Sequence, residues 1–595
     1  MTHKPFCPFG RLAAVALALA CSVATASAAD APATRPAGSP WGVAGSSSSY
    51  RDHAEWMPTM AAAGVSTVRL FPEWCQLEPA KGEFKWEAVD VLLKNAAANK
   101  LEVNGILMGA PRWTNNKSHA FPMDHLDDWS AYVSAAVGHC GDRVRHWEVW
   151  NEGNAGFNDG KHTTADYARL AAATYAAAKK ANPNVQVGLS VASYDPAYLR
   201  QAIVAQAKAG TPNHFDFLAV HPYEIADGLA DPDGEIPFLW MTRQLRGVLA
   251  AAAPERADAP IWITEIGRKV ERKKDHAVTE DAAARDLVKL YTMAAAQGIA
   301  RTQWFEARDP VGEEAGFGLL ARDGKPRPAY AALKALAAHL GTAPVCQGWV
   351  ALGADGRGYG FVFTGPAGDV LVAWMHAGPT DRAVSFGDDV KVVDPLTATA
   401  MPLKAGRQLQ LSEEPLIIVG VPAATTAAAR ANAAKPFPWG GDHSAAKSVA
   451  CTPGAPAATD GVFQVNRRST PLVTFHDGST GVVVRGDQGT NYFVHPSFAD
   501  LSAREFYVRV TVRRLASGNL GMNLWYEVAD SQGRWPYKNV GTWYSVPAGD
   551  GWHTHTWKVA DACLAKMWGY DIGIRPEQSV PFVIGKVEVS REAFK

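Results

Sequence analysis

The sequence has almost no net charge, because 58 Lys and Arg residues balance 59 Asp and Glu residues and leave a formal charge of −1. Such a chain has no overall positive potential with which to hold nucleic acid or an anionic membrane surface, so neither is expected as a partner. The sequence also lacks CxxC pairs, a Walker motif and an HExxH motif. We therefore predict that the protein uses neither a metal nor an organic cofactor.

Long hydrophobic runs are missing as well. The apolar run at residues 12–20 is too short to cross a membrane, and no other candidate for a span is present. This run follows a positively charged start and precedes the small residues Ala-Ser-Ala at 26–28, a pattern typical of an export signal. We predict a signal peptide over residues 1–28 and a secreted or periplasmic protein. In an alternative interpretation the segment is a lipoprotein signal, and a lipid on Cys21 tethers the protein to a membrane.

Cysteine is scarce. Of the seven cysteines, two lie in the predicted signal and five follow it. Their spacing fits no metal site. Export would permit a disulfide between Cys451 and Cys563. The alternative is that these cysteines are isolated, partly buried thiols.

The sequence does contain a repeated pattern of short apolar runs and Ala-rich amphipathic stretches. The hydrophobic fraction of 47% is sufficient for a folded core. Each run suits a strand and each Ala-rich stretch a helix, and eight such units favour a (β/α)8 barrel over residues 40–340. The runs lie at 41–45, 66–71, 102–109, 145–152, 185–191, 215–223, 260–267 and 301–307.

Helical periodicity ends near residue 340, and short strands with turns follow. We interpret residues 341–422 as a small β-sandwich and residues 423–435, which are low in complexity, as a linker. Residues 436–595 return to two-residue alternation and predict a second all-β domain of the jelly-roll sandwich type. The expected fold class is thus α/β, with two β-sandwiches after the barrel.

Active sites of such barrels lie at the C-terminal ends of the strands, so the last residues of each run are candidates. These include glutamates, and glycoside cleavage requires two carboxyl groups: one gives a proton to the leaving oxygen, and the other attacks the anomeric carbon. Aromatic faces pack against sugar rings, and amide or guanidinium groups hold hydroxyls. The candidates are Arg69, Trp113, Asn151, Glu152, His221, Tyr223, Glu265, Trp304 and Glu306.

Two of the strand-end segments resemble a known group of enzymes. WEVWNEG at 147–153 and WITEIG at 262–267 are similar to the motifs of the clan A retaining glycoside hydrolases. This resemblance implies that Glu152 is the general acid/base and Glu265 the nucleophile.

The same resemblance implies roles for neighbouring residues. Arg69 and Asn151 would hold the nucleophile or the sugar 2-hydroxyl, and Tyr223 would hydrogen-bond to the nucleophile. Trp304 would be the platform under the reacting sugar. His221 matches a histidine that the group carries on strand six.

Within the clan, the chain most resembles glycoside hydrolase family 39, the β-xylosidase and α-L-iduronidase family. The segments at 61–86 and 109–116 and the small β-sandwich after the barrel support this choice, and the resemblance covers roughly residues 40–422. It implies an exported retaining hydrolase that cleaves an O-glycosidic bond of an oligo- or polysaccharide. The alternatives are a non-catalytic glycan-binding protein on a barrel scaffold, and a transglycosylase.

Other residues have open interpretations. Trp113 is either a sugar-stacking residue or a core anchor, and Glu306 either contacts a sugar hydroxyl or is structural. The basic segment at 268–274 is either a solvated helix face or a contact for an acidic polysaccharide. Six tryptophans of the last domain either bind glycan or form its core; they are Trp525, Trp535, Trp543, Trp552, Trp557 and Trp568.

Overall fold

The computed structural model describes most of the chain from residue 38 onward. The predicted signal peptide and Cys21 lie outside the described residues. The described ranges are 38–46, 49–115, 117–271, 278–312, 314–376, 382–453, 459–465, 470–485, 489–499, 501, 504–528, 536–565, 569–576 and 580–595.

Eight parallel strands form a closed barrel, in which each strand pairs with the next and β8 pairs with β1. The predicted (β/α)8 fold is therefore confirmed. All eight strands are almost wholly buried, as expected for parallel strands covered by helices. Their bounds are β1 Trp41–Ala44, β2 Thr67–Arg69, β3 Glu102–Leu107, β4 His146–Val149, β5 Gln186–Ala192, β6 Phe217–His221, β7 Ile261–Ile266 and β8 Arg301–Phe305.

The helices surround the barrel and bury one apolar face each. The fifth helix illustrates the local signals: Thr163 and Asp166 form a capping box at its start, and Lys179 and Lys180 lie in its last turn. The α-helices are α1 His53–Ala62, α2 Trp74–Leu77, α3 Glu87–Ala98, α4 Leu126–Cys140, α5 Thr164–Ala181, α6 Pro196–Lys208, α7 Tyr223–Asp227, α8 Glu235–Ala252, α9 Glu280–Ala296, α10 Pro328–Leu340 and α11 Ala423–Asn432. Short 3-10 helices span Ser49–Asp52, Arg112–Thr114, Met123–His125, Gly141–Arg143, Gly156–Asn158, Gly228–Ala230 and Pro254–Arg256.

Eight strands of the small β-sandwich follow the barrel. Six form one antiparallel sheet, and β12 pairs with β15 in a second. The sandwich is fixed to the barrel by a buried carboxylate: Glu235 accepts hydrogen bonds from Lys289 at 2.8 Å and from Trp374 of β11 at 3.1 Å. The strands are β9 Val345–Leu352, β10 Gly358–Gly365, β11 Gly368–Trp374, β12 Ala383–Ser385, β13 Val390–Val393, β14 Ala400–Leu403, β15 Gln408–Gln410 and β16 Leu416–Val419.

The segment 423–435, which we predicted to be a linker, is largely helical. It contains α11, which packs against β9 so closely that a Cβ on Gly348 would lie 2.0 Å from the carbonyl oxygen of Ala429. Alanine has the highest helix propensity of the residues, and the side of the sandwich buries Thr426 and Ala429. The Ala-rich composition therefore signals a helix once a surface is available to cover one face.

The C-terminal β region consists of two antiparallel sheets around one apolar core. It packs on the barrel, where His495 contacts Trp240 edge-on and Arg200 of α6 donates to the Leu501 carbonyl oxygen at 3.1 Å. The strands are β17 Ser448–Cys451, β18 Thr459–Asp460, β19 Val462–Val465, β20 Leu472–Thr474, β21 Thr480–Val484, β22 Thr490–Val494, β23 Arg504–Arg514, β24 Gly521–Glu527, β25 Tyr537–Asn539, β26 Tyr544–Ser545, β27 Trp552–Ala562, β28 Ile572–Pro576 and β29 Phe582–Ser590.

Cys451 and Cys563 are both buried as free thiols, so the disulfide considered for this region is not formed. Of the tryptophans that the structure describes here, Trp557 is in the core, Trp525 and Trp552 are half-buried, and Trp543 is exposed. Trp535 and Trp568 lie outside the described residues. No helix among the described residues is long and apolar enough to span a membrane.

Glycines inside the barrel leave room for aromatic rings. A Cβ on Gly188 of β5 would lie 2.2 Å from the ring of Phe217 on the adjacent strand. We expect Gly188→Ala to destabilise the protein by about 1–3 kcal/mol, because the ring must move within a close-packed interior. Thermal and urea unfolding measure the effect.

Gly138→Ala is the matched control, since a Cβ at this exposed position of α4 meets nothing within 4 Å. Replacing a helical glycine with alanine should stabilise by roughly 0.5–1 kcal/mol. Equal effects of the two substitutions would contradict the packing that we describe.

Candidate active site

A cleft of about 1150 Å³ lies at the C-terminal ends of the barrel strands. Because the strands are parallel, residues far apart in sequence meet there. Arg69 at the end of β2, Glu152 after β4 and Glu265 on β7 all line this cleft, together with Asn151 and Tyr223.

Glu152 and Glu265 lie close together on either side of His221. The His221 Nδ1 atom is 2.8 Å from Glu152 Oε1 and 3.9 Å from Glu265 Oε2. One carboxylate oxygen of each glutamate and one ring nitrogen of His221 all lie within 4.8 Å of one another. His221 itself is fully buried, and its Nε2 atom is 3.1 Å from the Thr264 hydroxyl, which fixes the ring between the two carboxyl groups.

The surroundings of Glu265 favour its ionised form. Burial alone would raise the pKa of Glu265, but interactions with His221 and Arg69 and the hydrogen bond from Tyr223 outweigh it, so the pKa is lowered. The Tyr223 hydroxyl donates to Glu265 Oε2 at 3.0 Å, and the Arg69 guanidinium donates to Oε1. An ionised carboxylate only accepts hydrogen bonds, and Glu265 lines the cleft in this form.

Arg69 is held in place by Glu148, a residue that the sequence analysis did not select. Glu148 accepts from Arg69 Nε at 3.0 Å and from Arg69 Nη2 at 3.1 Å, and Asn104 and Thr264 satisfy the remaining positions of the carboxylate. Arg69 Nη2 also donates to Asn151 Oδ1 at 2.7 Å. The available signal was a charged residue in the middle of an otherwise apolar strand.

The backbone after β4 is unusual. Trp150 has φ of +61° and Glu152 has φ of +49°, a conformation that costs of order 1–3 kcal/mol for residues other than glycine. Trp150 is anchored on both sides: its backbone nitrogen donates to Leu107, and its indole donates to the Phe157 carbonyl oxygen at 2.6 Å. The anchored turn directs Glu152 into the cleft.

Trp304 does not form the floor of the cleft, so its expected role as sugar platform is wrong. Its ring is buried between β8 and the surrounding helices, and its indole donates to the Phe317 carbonyl oxygen at 3.0 Å. Successive side chains of a strand point to opposite faces, so the next residue faces the cleft instead. Phe305 and Phe317 line it there, with the Tyr223 ring edge-on to both.

Trp113 and Glu306 are structural in this arrangement, and neither lines the cleft. The Trp113 indole donates to the Glu78 carbonyl oxygen at 2.9 Å, and its ring packs edge-on against the buried Trp74. Glu306 is fully buried and accepts hydrogen bonds from the backbone nitrogen and the hydroxyl of Ser46. The expected contact of Glu306 with a sugar hydroxyl is therefore wrong, because its carboxylate is directed at the loop after β1.

The basic segment after β7 carries less free charge than its sequence indicates. Arg268 is buried and pairs with Asp286 at 2.9 Å and with Asp227, while Lys269 is 3.3 Å from Glu271. These residues do not form a solvated helix face. The remaining basic residues, at 272–274, lie outside the described part of the chain.

The cleft is also lined by acidic residues that the search of the strand ends did not select. Glu224 follows Tyr223 on α7 and accepts from the Ser193 hydroxyl at 2.5 Å. Burial raises the pKa of Glu224 to about 7, against the opposing effect of that hydrogen bond. Glu314 also lines the cleft. Their positions in loops and short helices carry no periodic signal.

These observations define a (β/α)8-barrel protein whose cleft contains two close carboxyl groups in contact with a buried histidine, together with an arginine and aromatic walls. No protein-family model matches the sequence, and no curated protein matches it.

Solved structures do match. A family 39 glycoside hydrolase from the gut symbiont Bacteroides cellulosilyticus WH2 is 21% identical, with a TM-score of 0.53 over 65% of this chain and 81% of that one. A family 39 enzyme from Xanthomonas axonopodis pv. citri is 17% identical, with a TM-score of 0.46 over 65% and 95%. A glucosidase from Croceicoccus marinus is 14% identical, with a TM-score of 0.42 over 94% and 98%. The first alignment shows that the chain shares the fold of a family 39 glycoside hydrolase, in agreement with the resemblance of its motifs.

The Tyr223 hydroxyl can be tested as a determinant of the ionisation of Glu265. We expect Tyr223→Phe to raise the pKa of Glu265, because a hydrogen bond to the ionised form is lost. Titration by carbon-13 NMR of labelled glutamates, assigned with Glu265→Gln, measures it. In the unmodified protein Glu265 should titrate below the ordinary value of 4.5.

Tyr507→Phe is the control, since the Tyr507 hydroxyl donates to Glu505 on its own strand in the C-terminal region, at 2.7 Å. A Glu265 titration that is the same in both variants would show that Tyr223 does not stabilise the carboxylate.

Proposed function

We propose that this protein is an exported retaining glycoside hydrolase that cleaves an O-glycosidic bond of an oligo- or polysaccharide by double displacement. The observation that carries the proposal is the pair of carboxyl groups, Glu152 and Glu265, whose nearest oxygens lie within 4.8 Å across His221. Glycosidases that retain configuration place their carboxyl groups about 5–5.5 Å apart, whereas inverting enzymes leave about 6.5–9.5 Å for a water molecule. The short separation supports the retaining course.

In the first step, a carboxylate oxygen of Glu265 bonds to the anomeric carbon as the bond from that carbon to the leaving oxygen breaks. Glu152, as the carboxylic acid, gives its proton to the leaving oxygen. The lowered pKa of Glu265 keeps the nucleophile ionised, and Arg69 and Tyr223 hold it in position.

In the second step, water attacks the anomeric carbon from the face that the leaving group vacated. Glu152, now the carboxylate, takes a proton from the water, and the bond between Glu265 and the sugar breaks. Two inversions restore the original configuration. His221 contacts Glu152 at 2.8 Å, so we assign it the role of positioning the acid/base through both steps.

The substrate sugar packs against the aromatic walls of the cleft. Phe305, Phe317 and Tyr223 provide apolar surface beside the carboxyl pair, and carbohydrate C–H faces pack on such rings. The polar residues of the opposite wall suit sugar hydroxyls. Delivery to a polysaccharide outside the cytoplasm agrees with the export signal proposed for residues 1–28, and an anchor on Cys21 would keep the enzyme at a membrane.

The carboxyl pair can be tested on a panel of 4-nitrophenyl glycosides and polysaccharides with the full chain. We expect Glu265→Ala to lower kcat by about a thousandfold or more, because the nucleophile is lost, and Glu152→Ala to lower it by about 100- to 10 000-fold. Azide should restore activity to both, with a glycosyl azide of inverted configuration from Glu265→Ala and of retained configuration from Glu152→Ala.

Glu87→Ala, at an exposed position of α3, is the control and should leave activity unchanged. Activity that survives either alanine substitution in the cleft would overturn the mechanism. Glycan binding without hydrolysis by the unmodified protein would favour the binding-protein alternative, and products longer than the substrate would favour transglycosylation.

A further inference from the structure

The C-terminal β region reaches the wall of the cleft through one glycine. A Cβ built on Gly569 would lie 3.0 Å from the Cβ of Glu224, which lines the cleft. Gly569 has φ of +90°, a conformation that only glycine adopts without strain. A small cavity beside this contact is lined by Glu224 and Gly228 from the barrel and by Val465 and Phe493 from the C-terminal region. The two parts therefore meet behind the cleft wall rather than at a distance from it.

Glu224 is tied to the residues that carry the proposed chemistry. Its Oε2 atom accepts from the Ser193 hydroxyl at 2.5 Å. The Ser193 carbonyl oxygen in turn accepts from the backbone nitrogen of His221 at 3.0 Å, and His221 contacts Glu152. Ser193 and Glu224 thus belong to the same end of the barrel as the acid/base and both line the cleft.

Electrostatic interactions place Glu224 on the acid/base side of the cleft. After burial, the carboxylates that raise the pKa of Glu224 are Asp227 and Glu152. Glu314 also lines the cleft, and the carboxylate that raises the pKa of Glu314 is Glu265. The acid/base gives its proton to the leaving oxygen, so the leaving group of the substrate lies on the side of Glu152.

We infer that Ser193 and Glu224 form the subsite for a sugar leaving group, and that the C-terminal β region holds Glu224 in place through Gly569. This inference rests on the proposed glycosidase function. The ligand class is a carbohydrate with free hydroxyls, because the carboxyl group of Glu224 and the hydroxyl of Ser193 can both form hydrogen bonds with sugar hydroxyls. An apolar leaving group would form no hydrogen bonds with Ser193 and Glu224. The natural substrate is accordingly a saccharide on both sides of the bond that is cleaved.

Two substrates with the same reacting sugar test the subsite: a 4-nitrophenyl glycoside of the sugar that the panel identifies, and its disaccharide. We expect Glu224→Gln and Glu224→Ala to lower kcat/KM on the disaccharide by about ten- to a hundredfold, the effect of losing a hydrogen bond to a charged group. On the nitrophenyl substrate the change should stay within about threefold. The structurally conservative glutamine variant should lose less than the alanine variant.

Gly569→Val tests whether the C-terminal β region holds Glu224 in place. The added side chain must displace Glu224, so we expect the same selective loss on the disaccharide. Gly541→Val is the matched control: Gly541 lies in the same region, has φ of +79°, and a Cβ there meets nothing within 4 Å. It carries the same backbone strain without the contact, and thermal unfolding of both variants reports the strain itself.

The outcomes separate the two proposals. An unmodified protein that cleaves neither substrate removes the proposed function, and this inference with it. An active protein whose Glu224 variants lose both substrates equally, or neither, overturns the subsite while leaving the proposed function intact. Selective loss in the Glu224 variants with no effect of Gly569→Val keeps the subsite and overturns the role of the C-terminal region.

Discussion

The buried ion pair between Arg69 and Glu148 is the interaction on which the cleft depends. Both side chains are almost completely inaccessible to solvent, and removing one partner of such a pair typically costs about 3–5 kcal/mol because a buried charge is left alone. Here the pair does more than neutralise charge. Glu148 fixes the guanidinium plane, so that Arg69 Nη1 reaches Glu265, while Nη2, which also bonds to Glu148, reaches Asn151. Glu265, the proposed nucleophile, is thereby positioned by a residue that is itself held in place by buried hydrogen bonds.

Much of the site follows from one rule of the fold. Strand ends of a parallel barrel converge, so Arg69, Asn151, Glu152, Tyr223 and Glu265 could be selected from sequence without any knowledge of their distances. The sequence alone does not determine on which side of a strand a single side chain lies. Trp304 and the following residue occupy adjacent positions on β8, and a difference of one position decides which ring faces the cleft. Charges in strand interiors such as Glu148, and groups on short helices such as Glu224, follow no period that a pattern could identify.

The domain organisation also divides into a part that the sequence predicts and a part that only packing decides. Eight alternating units were sufficient to predict the barrel, because each unit repeats a local pattern. The conformation of the segment 423–435 could not be predicted, because its composition is compatible with a flexible chain and with a helix alike, and only the side of the adjacent sandwich decides between them. Propensity is a weak local term, and packing against a partner surface overrides it.

The contact between Gly569 and Glu224 bears on the order in which the parts around the cleft fold. Gly569 lies close to the C-terminal end of a 595-residue chain, whereas the residue that it contacts belongs to the sixth barrel unit. Domains tend to fold in order from the N-terminus as they are made, so the barrel can close long before its neighbour exists. The contact behind Glu224 is then made only after the C-terminal β region has been synthesised, later than the carboxyl groups of the barrel are in place. A protein without the C-terminal β region would retain both carboxyl groups and the residues that line the cleft, and would lack the packing of Gly569 against Glu224.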